Sequence, residues 1–190
     1  MTKLDNPYEA AFSAYLRNKG APHVAVNESR RSTAGNVALK NLDVIVSPLG
    51  QTTRWLIDVK GRKFPGGSKQ NRYWTNWSCS DDLRSMSNWE SLFGAPFRGL
   101  FVFAYSIEGD VSPLPPHELF EYRSRRFAFL GISLTLYLSA ARLLSPKWRT
   151  YGLPAKRFRQ LAAPFSQLIA GADEHARRSE PMNESISQLV

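Results

Sequence analysis

Cysteine is nearly absent from this chain: one, Cys79, in 190 residues. A disulfide framework within the chain and a cysteine-rich zinc site are therefore excluded. Histidine is almost as sparse. His23, His117 and His175 are scattered, without a His-X-X-X-His pair, so a zinc-protease motif has no support. No Gly-X-X-X-X-Gly-Lys-Ser/Thr phosphate loop and no Gly-X-Gly-X-X-Gly fingerprint occur, and Pro65-Gly66-Gly67-Ser68-Lys69 reads only as a loop. Long apolar runs are missing too. The most apolar stretch, Phe127 to Leu144, is broken by Gly131, Ser133, Thr135, Ser139 and Arg142, which makes it too polar for a membrane span. The chain opens without a basic segment followed by an apolar run. The expectation is a soluble protein, without a secretory signal or membrane partner, in a reducing, cytoplasmic setting.

Acid is the scarcer charge. Lys+Arg number 25 against Asp+Glu 16, a net charge of +9. The excess is local: Arg123 to Arg159 carries nine basic residues and no acid, and Arg54 to Arg72 carries six against Asp58 alone. Such excesses favour a polyanionic partner, most simply nucleic acid, over the alternative of a basic, well-solvated surface. With 43% hydrophobic and 22% charged residues the chain reads as globular. One domain is expected over residues 1–170, followed by a polar, flexible tail over 171–190.

Asn6-Pro7-Tyr8-Glu9 has the residues of a helix start, and Tyr8, Ala11, Phe12, Tyr15 and Leu16 then recur at helical spacing until Gly20 and Pro22. A short strand is expected over 23–27. A hairpin follows, with strands over 42–46 and 54–60 about a turn at 47–51. Residues 61–71 read as a basic, glycine-rich loop, and Ser80-Asp81-Asp82 as the cap of a helix running to Phe93. The continuous apolar run 99–105 reads as a buried strand. A further strand is expected over 126–132, then a helix over 134–144 and a weaker one over 154–169. The order implies an α/β fold: a mixed central sheet flanked by helices.

The hairpin holds the chemistry. Strand side chains alternate, so Asp58 and Lys60 share one face while Trp55, Ile57 and Val59 take the other. Asp43 lies about as far before the turn as Asp58 lies after it, which sets the two nearly opposite. Facing carboxylates destabilise a sheet, and a hard divalent cation gives them a reason to meet. Magnesium, with manganese as the alternative, prefers carboxylate oxygens, so Asp43, Asp58 and the Val59 carbonyl are the candidate ligands. Lys60 is the candidate to orient a water, neutralise a phosphate or stabilise developing charge. Arg62, Lys63, Lys69 and Arg72 would draw the phosphates of a nucleic acid to this edge. The bland alternative is that Asp58 and Lys60 form an exposed ion pair, worth about 0–1 kcal/mol.

Glu9 in its helix, Asp43 in its strand, and Ile57-Asp58-Val59-Lys60 together resemble the PD-(D/E)XK nuclease superfamily. Leu42 stands where that motif has proline, and Asp58 where glutamate is commoner. The resemblance implies a restriction-endonuclease-like core in which two acids bind magnesium, the lysine assists hydrolysis and Glu9 completes the site. A narrower resemblance is to the uncharacterised HYExAFE proteins: in Pro7-Tyr8-Glu9-Ala10-Ala11-Phe12-Ser13 the residues Tyr8, Glu9, Ala11 and Phe12 match, while Pro7 and Ser13 do not. That likeness extends from Pro7 to about Phe165, through an Asp-Val-Lys-Gly-Arg segment and a Ser-Pro-Lys-Trp segment. What these resemblances imply is a magnesium-dependent phosphodiesterase acting on nucleic acid, DNA before RNA, with a homodimer as an allowed arrangement.

Each side residue has an ordinary reading as well. Glu9, three residues after Asn6, would serve equally as part of a cap. Glu28 reads as a surface salt-bridge partner before a metal or water contact, and Gln51 as a turn residue. Trp74, Trp77 and Trp89 read as core, with base stacking as the alternative for the first two, and Trp148 is open between the two roles. Two further functions stand beside the nuclease: a catalytically silent nucleic-acid-binding domain of the same fold, and an assembly protein whose basic face meets an acidic partner.

Overall fold

A computed structural model describes residues 6–26, 32–34, 37–66 and 74–170. Helix α1 (Pro7–Asn18) starts as its sequence dictates: Asn6 Oδ1 accepts from Tyr8 N at 3.2 Å, and Pro7 occupies the first turn, where no N–H is required. Strands β1 (His23–Ala25), β2 (Ser32–Ala34), β3 (Val37–Leu39), β4 (Val44–Val46) and β5 (Arg54–Phe64) follow. Then come β6 (Ser78–Cys79), α2 (Ser80–Phe93), β7 (Phe97–Ile107), β8 (Phe120–Tyr122) and β9 (Arg125–Ser133). The chain continues through α3 (Leu134–Ala140), β10 (Arg142–Ser145), β11 (Thr150–Gly152), α4 (Ala155–Leu161), β12 (Ala163–Pro164) and α5 (Phe165–Ile169).

Seven strands form the main sheet in the order β1-β4-β5-β7-β9-β12, with β8 beside β9. It is mixed: β5 and β7 run parallel over Arg54↔Phe97 to Phe64↔Ile107, and the other pairs are antiparallel. A parallel neighbour requires a crossover, and α2 supplies it. Both sheet faces are covered. Ala11, Phe12, Tyr15 and Leu16 of α1 pack on Val44, Val46, Ile57, Val59, Leu100, Val102 and Ala104. Leu83 and Met86 of α2, Leu134 and Tyr137 of α3 and Phe158 of α4 pack on Leu56, Phe101, Phe103 and Tyr105. Each large apolar side chain buried in these layers contributes about 2 kcal/mol. The architecture is the expected one, a mixed central sheet flanked by helices.

Four local expectations are corrected. Residues 61–64 are not loop: β5 continues to Phe64, which is buried against Trp74 and Tyr105. Ser80 is not the cap of α2 but its first residue; Cys79 is the cap, and its N–H donates to Asp82 Oδ2 at 3.2 Å. The helix expected over 134–144 ends at Ala140, and the chain turns into β10 to pair with β11. The helix expected over 154–169 breaks at β12, where Pro164 has no N–H to continue it. The tail 171–190, Glu28, Lys69 and Arg72 lie outside the described residues.

Candidate active site

The β4–β5 ladder ends where the two acids stand. Its register pairs Val44 with Ile57, so one step further Asp43 falls opposite Asp58. Asp43 N donates to Ile57 O at 3.0 Å, and Asp43 Oδ2 accepts from Val59 N at 2.5 Å. The side chain thus takes the acceptor position that another β4 residue would have filled, and Asp43 straddles Asp58 along the strand edge. In an extended residue N–H and C=O point to the same side, so the Val59 carbonyl is directed to the edge that β4 vacates.

Asp58 and Lys60 share the α2-facing side of β5, as alternation requires. The bland reading of an exposed pair is corrected here, because α2 covers them. Lys60 is 8% exposed and Asp82 5%. Lys60 Nζ lies 2.7 Å from Asp58 Oδ2 and 2.8 Å from Asp82 Oδ2, with the Phe101 ring centroid 5.9 Å away. Asp82 also pairs with Lys40 Nζ and accepts from Ser78 Oγ at 3.0 Å. The result is a chain Asp58–Lys60–Asp82–Lys40, covered except at the exposed Lys40, in which the Lys60 ammonium serves two carboxylates.

The electrostatics of the two acids diverge. Burial pushes the Asp58 carboxyl above its ordinary pKa and the Asp82 charge adds to this, while Lys60 opposes both. Burial would also raise Asp82. There the Lys60 charge and the hydrogen bonds from Lys40, Lys60 and Cys79 outweigh it and hold the carboxyl well below the usual range. Burial would lower Lys40, but its bond and attraction to Asp82 push it up to about 12. Asp58 is therefore the less compensated acid, and it is the one beside Asp43.

The remaining sequence candidates fall in different places. Glu9 sits in the first turn of α1, on the opposite sheet face, where its Oε1 accepts from Asn6 Nδ2 in the manner of a cap. That turn is nonetheless close to β5. A Cβ built on Gly61 would lie 2.3 Å from the Tyr8 ring, so the helix start rests on the residue after Lys60. Among the described residues no group of three or more His, Cys, Asp or Glu forms a metal-ligand cluster, so Glu9, Asp43 and Asp58 do not make one. Arg62 is half-buried: its Nη1 donates to Gly61 O at 2.7 Å, its Nη2 to Trp77 O, and its Cζ stacks 4.1 Å over the Trp77 ring. Burial lowers its pKa. Lys63 is exposed, 3.7 Å from Glu108, on a cleft of about 510 Å³ shared with Arg125 and Arg126.

Sequence reasoning missed Asp82 and Lys40. Asp82 was legible as an acid on the apolar stripe of α2, since it precedes Met86 by four residues and Trp89 by seven. Lys40 carried no such signal. The core reading of Trp77 is also corrected: it is 42% exposed, because it precedes the edge strand β6 and lies under Arg62. Trp74 does pack on Phe64, Tyr105 and Phe158, and the half-buried Trp89 donates Nε1–H to Lys40 O at 2.8 Å.

No family model matches the sequence, so the HYExAFE likeness stays a resemblance, and no curated protein matches it either. No helix among the described residues is long and apolar enough to cross a membrane. Among solved structures the chain is similar to Hjc, a Holliday junction resolvase from the archaeal hyperthermophile Archaeoglobus fulgidus. The TM-score is 0.50 at 9% sequence identity, over 87% of this chain and 100% of that one. At this identity the likeness establishes the shared fold alone, the expected restriction-endonuclease-like core.

Proposed function

We propose that the protein is a divalent-cation-dependent nuclease acting on nucleic acid, with DNA as the first substrate to test. One observation carries this reading: the β4–β5 register sets Asp43 opposite Asp58 where the ladder ends, and Lys60 Nζ lies 2.7 Å from Asp58. The shared fold with a Holliday junction resolvase supports DNA as the substrate. The donor set suits magnesium or manganese, since Asp43, Asp58 and the Val59 carbonyl are all hard oxygen donors. The charge balance suits a cation too, because Asp58 has only a share of Lys60. Such an ion acidifies bound water and stabilises charge on a phosphate.

The chain's own residues do the rest. Asp58 and Asp82 hold the Lys60 ammonium in place, so it meets a phosphate without the entropy cost of a free lysine. Glu9 starts from the other sheet face, and the Tyr8–Gly61 contact that seats its helix on β5 is the route by which it would act on the site. Lys63 and Arg62 neutralise the backbone of the substrate, together with Lys69 and Arg72. The test is cleavage of labelled DNA and RNA with magnesium or manganese. Wild type is expected to cut, and Asp58→Asn and Lys60→Met to lose at least ~100-fold in rate. A wild-type protein inert with both ions and every substrate contradicts the assignment.

A second reading has its own observation. Lys60 is held by two carboxylates and lies beneath α2, and no three-donor cluster exists among the described residues. That arrangement suits a domain that binds nucleic acid without cutting it. Salt-sensitive binding without cation uptake or cleavage would select it.

A further inference from the structure

The stretch from Arg123 to Arg159, with nine basic residues and no acid, contains a feature that hydrolysis does not use. The turn between β10 and β11 presents Lys147, Trp148 and Arg149, all exposed, with Trp148 at 69%. Lys147 Nζ lies 5.3 Å from the centre of the Trp148 ring.

The turn is held firmly. Trp148 N donates to Ser145 Oγ at 3.3 Å, Arg149 N to Pro146 O at 3.3 Å, and Arg149 O accepts from Ser80 N at 2.9 Å. Arg149 adopts φ 47°, a conformation glycine takes without strain. The platform is therefore preorganised, and an arginine is kept where glycine would fit more easily.

Its position ties it to the candidate site. β11 pairs with β6 through Thr150↔Cys79 and Tyr151↔Ser78. Cys79 N and Ser78 Oγ both donate to Asp82, which holds Lys60. Trp77, just before β6, is exposed as well and carries the Arg62 guanidinium on its face. Of the two acids in the first turn of α2, Asp82 is buried against Lys60 and the exposed Asp81 is turned to Arg84 at 3.8 Å.

We propose that the β10–β11 turn is a stacking platform for an unpaired base, so that the substrate presents a single-stranded segment beside the site. This rests on the nuclease reading for its substrate class. The chemistry is specific. A tryptophan face takes a base only when that base is unstacked, and flanking cations take the phosphates on either side. Duplex DNA offers phosphates but no free base face.

The experiment is fluorescence polarisation of labelled oligothymidylate and of a duplex of equal length. It uses the full chain in chelator, so that no cleavage occurs. Trp148→Ala should weaken single-strand binding by about tenfold or more and duplex binding by less than about threefold. Trp148→Phe should restore most of the loss, which excludes a folding defect. Equal loss for both ligands, or no loss, overturns the proposal. So does a change in mass by light scattering with binding intact, since the turn would then be a contact between copies of the chain. Failure of the nuclease reading is separable: a protein that never cuts but loses single-strand binding in Trp148→Ala keeps the platform. One that cuts and is indifferent to Trp148→Ala loses it.

Discussion

Lys60 and Asp82 meet at 2.8 Å between β5 and α2, both nearly excluded from solvent. The contact joins residues 22 positions apart and pins the first turn of α2 onto the strand that carries Asp58. Its removal gives the first prediction. Asp82→Asn leaves Lys60 with Asp58 alone and takes the counter-charge from Lys40. Breaking a buried pair on one side costs about 3 kcal/mol or more. Urea denaturation should show that loss in the midpoint, with an unchanged slope.

The same residue sets a pH dependence. The folded-state pKa of Asp82 is depressed, so its contribution is complete above the unfolded value of about 4 and is lost as pH falls toward the lower folded value. The stability gap between wild type and Asp82→Asn should therefore be constant above about pH 5 and shrink below about pH 4. Denaturation series at stepped pH measure it. A gap that widens on acidification contradicts the assignment.

Lys60→Met should behave in the opposite sense. It leaves Asp58 and Asp82 facing each other without the ammonium between them, and Asp58 is already raised by burial. A carboxyl whose folded pKa is raised binds protons more readily folded than unfolded, so stability rises as pH falls through that value. The variant should lose about 2–3 kcal/mol at neutral pH and recover part of it as pH falls toward the ordinary carboxylate pKa of about 4. A variant as stable as wild type at pH 7 would show that the ammonium does not compensate the two acids.

Gly61 tests how α1 is seated. A methyl group there would lie 2.3 to 2.8 Å from the Tyr8 ring, so Gly61→Ala must displace that ring or the helix start that carries it. Overpacking of this kind costs about 1–3 kcal/mol. If Glu9 acts at the site, the variant should also lose cleavage activity at temperatures where it is fully folded. Unchanged activity would separate Glu9 from the chemistry.

The parts legible in the sequence were those set by local periodicity. Alternation placed Asp58 and Lys60 on one face, and counting from the turn placed Asp43 opposite Asp58. The cap at Asn6 and the apolar run 99–105 were equally plain. The sequence did not tell which face α2 would cover, so the Asp58–Lys60 pair, exposed in its bland reading, lies in the interior. Lys40 reaches Asp82 across 42 positions, a distance no local pattern encodes. The helical spacing of 134–144 was real, but strand pairing with β11 overrode it after Ala140, as tertiary contacts regularly override propensity. The break at Pro164 was there to be read.

Calorimetric titration of manganese into the apoprotein tests the central claim most directly. The account predicts one ion per chain for wild type, and loss of that binding in both Asp43→Asn and Asp58→Asn while circular dichroism stays unchanged. A wild-type protein that takes up no manganese, or one whose uptake survives both substitutions, would contradict it.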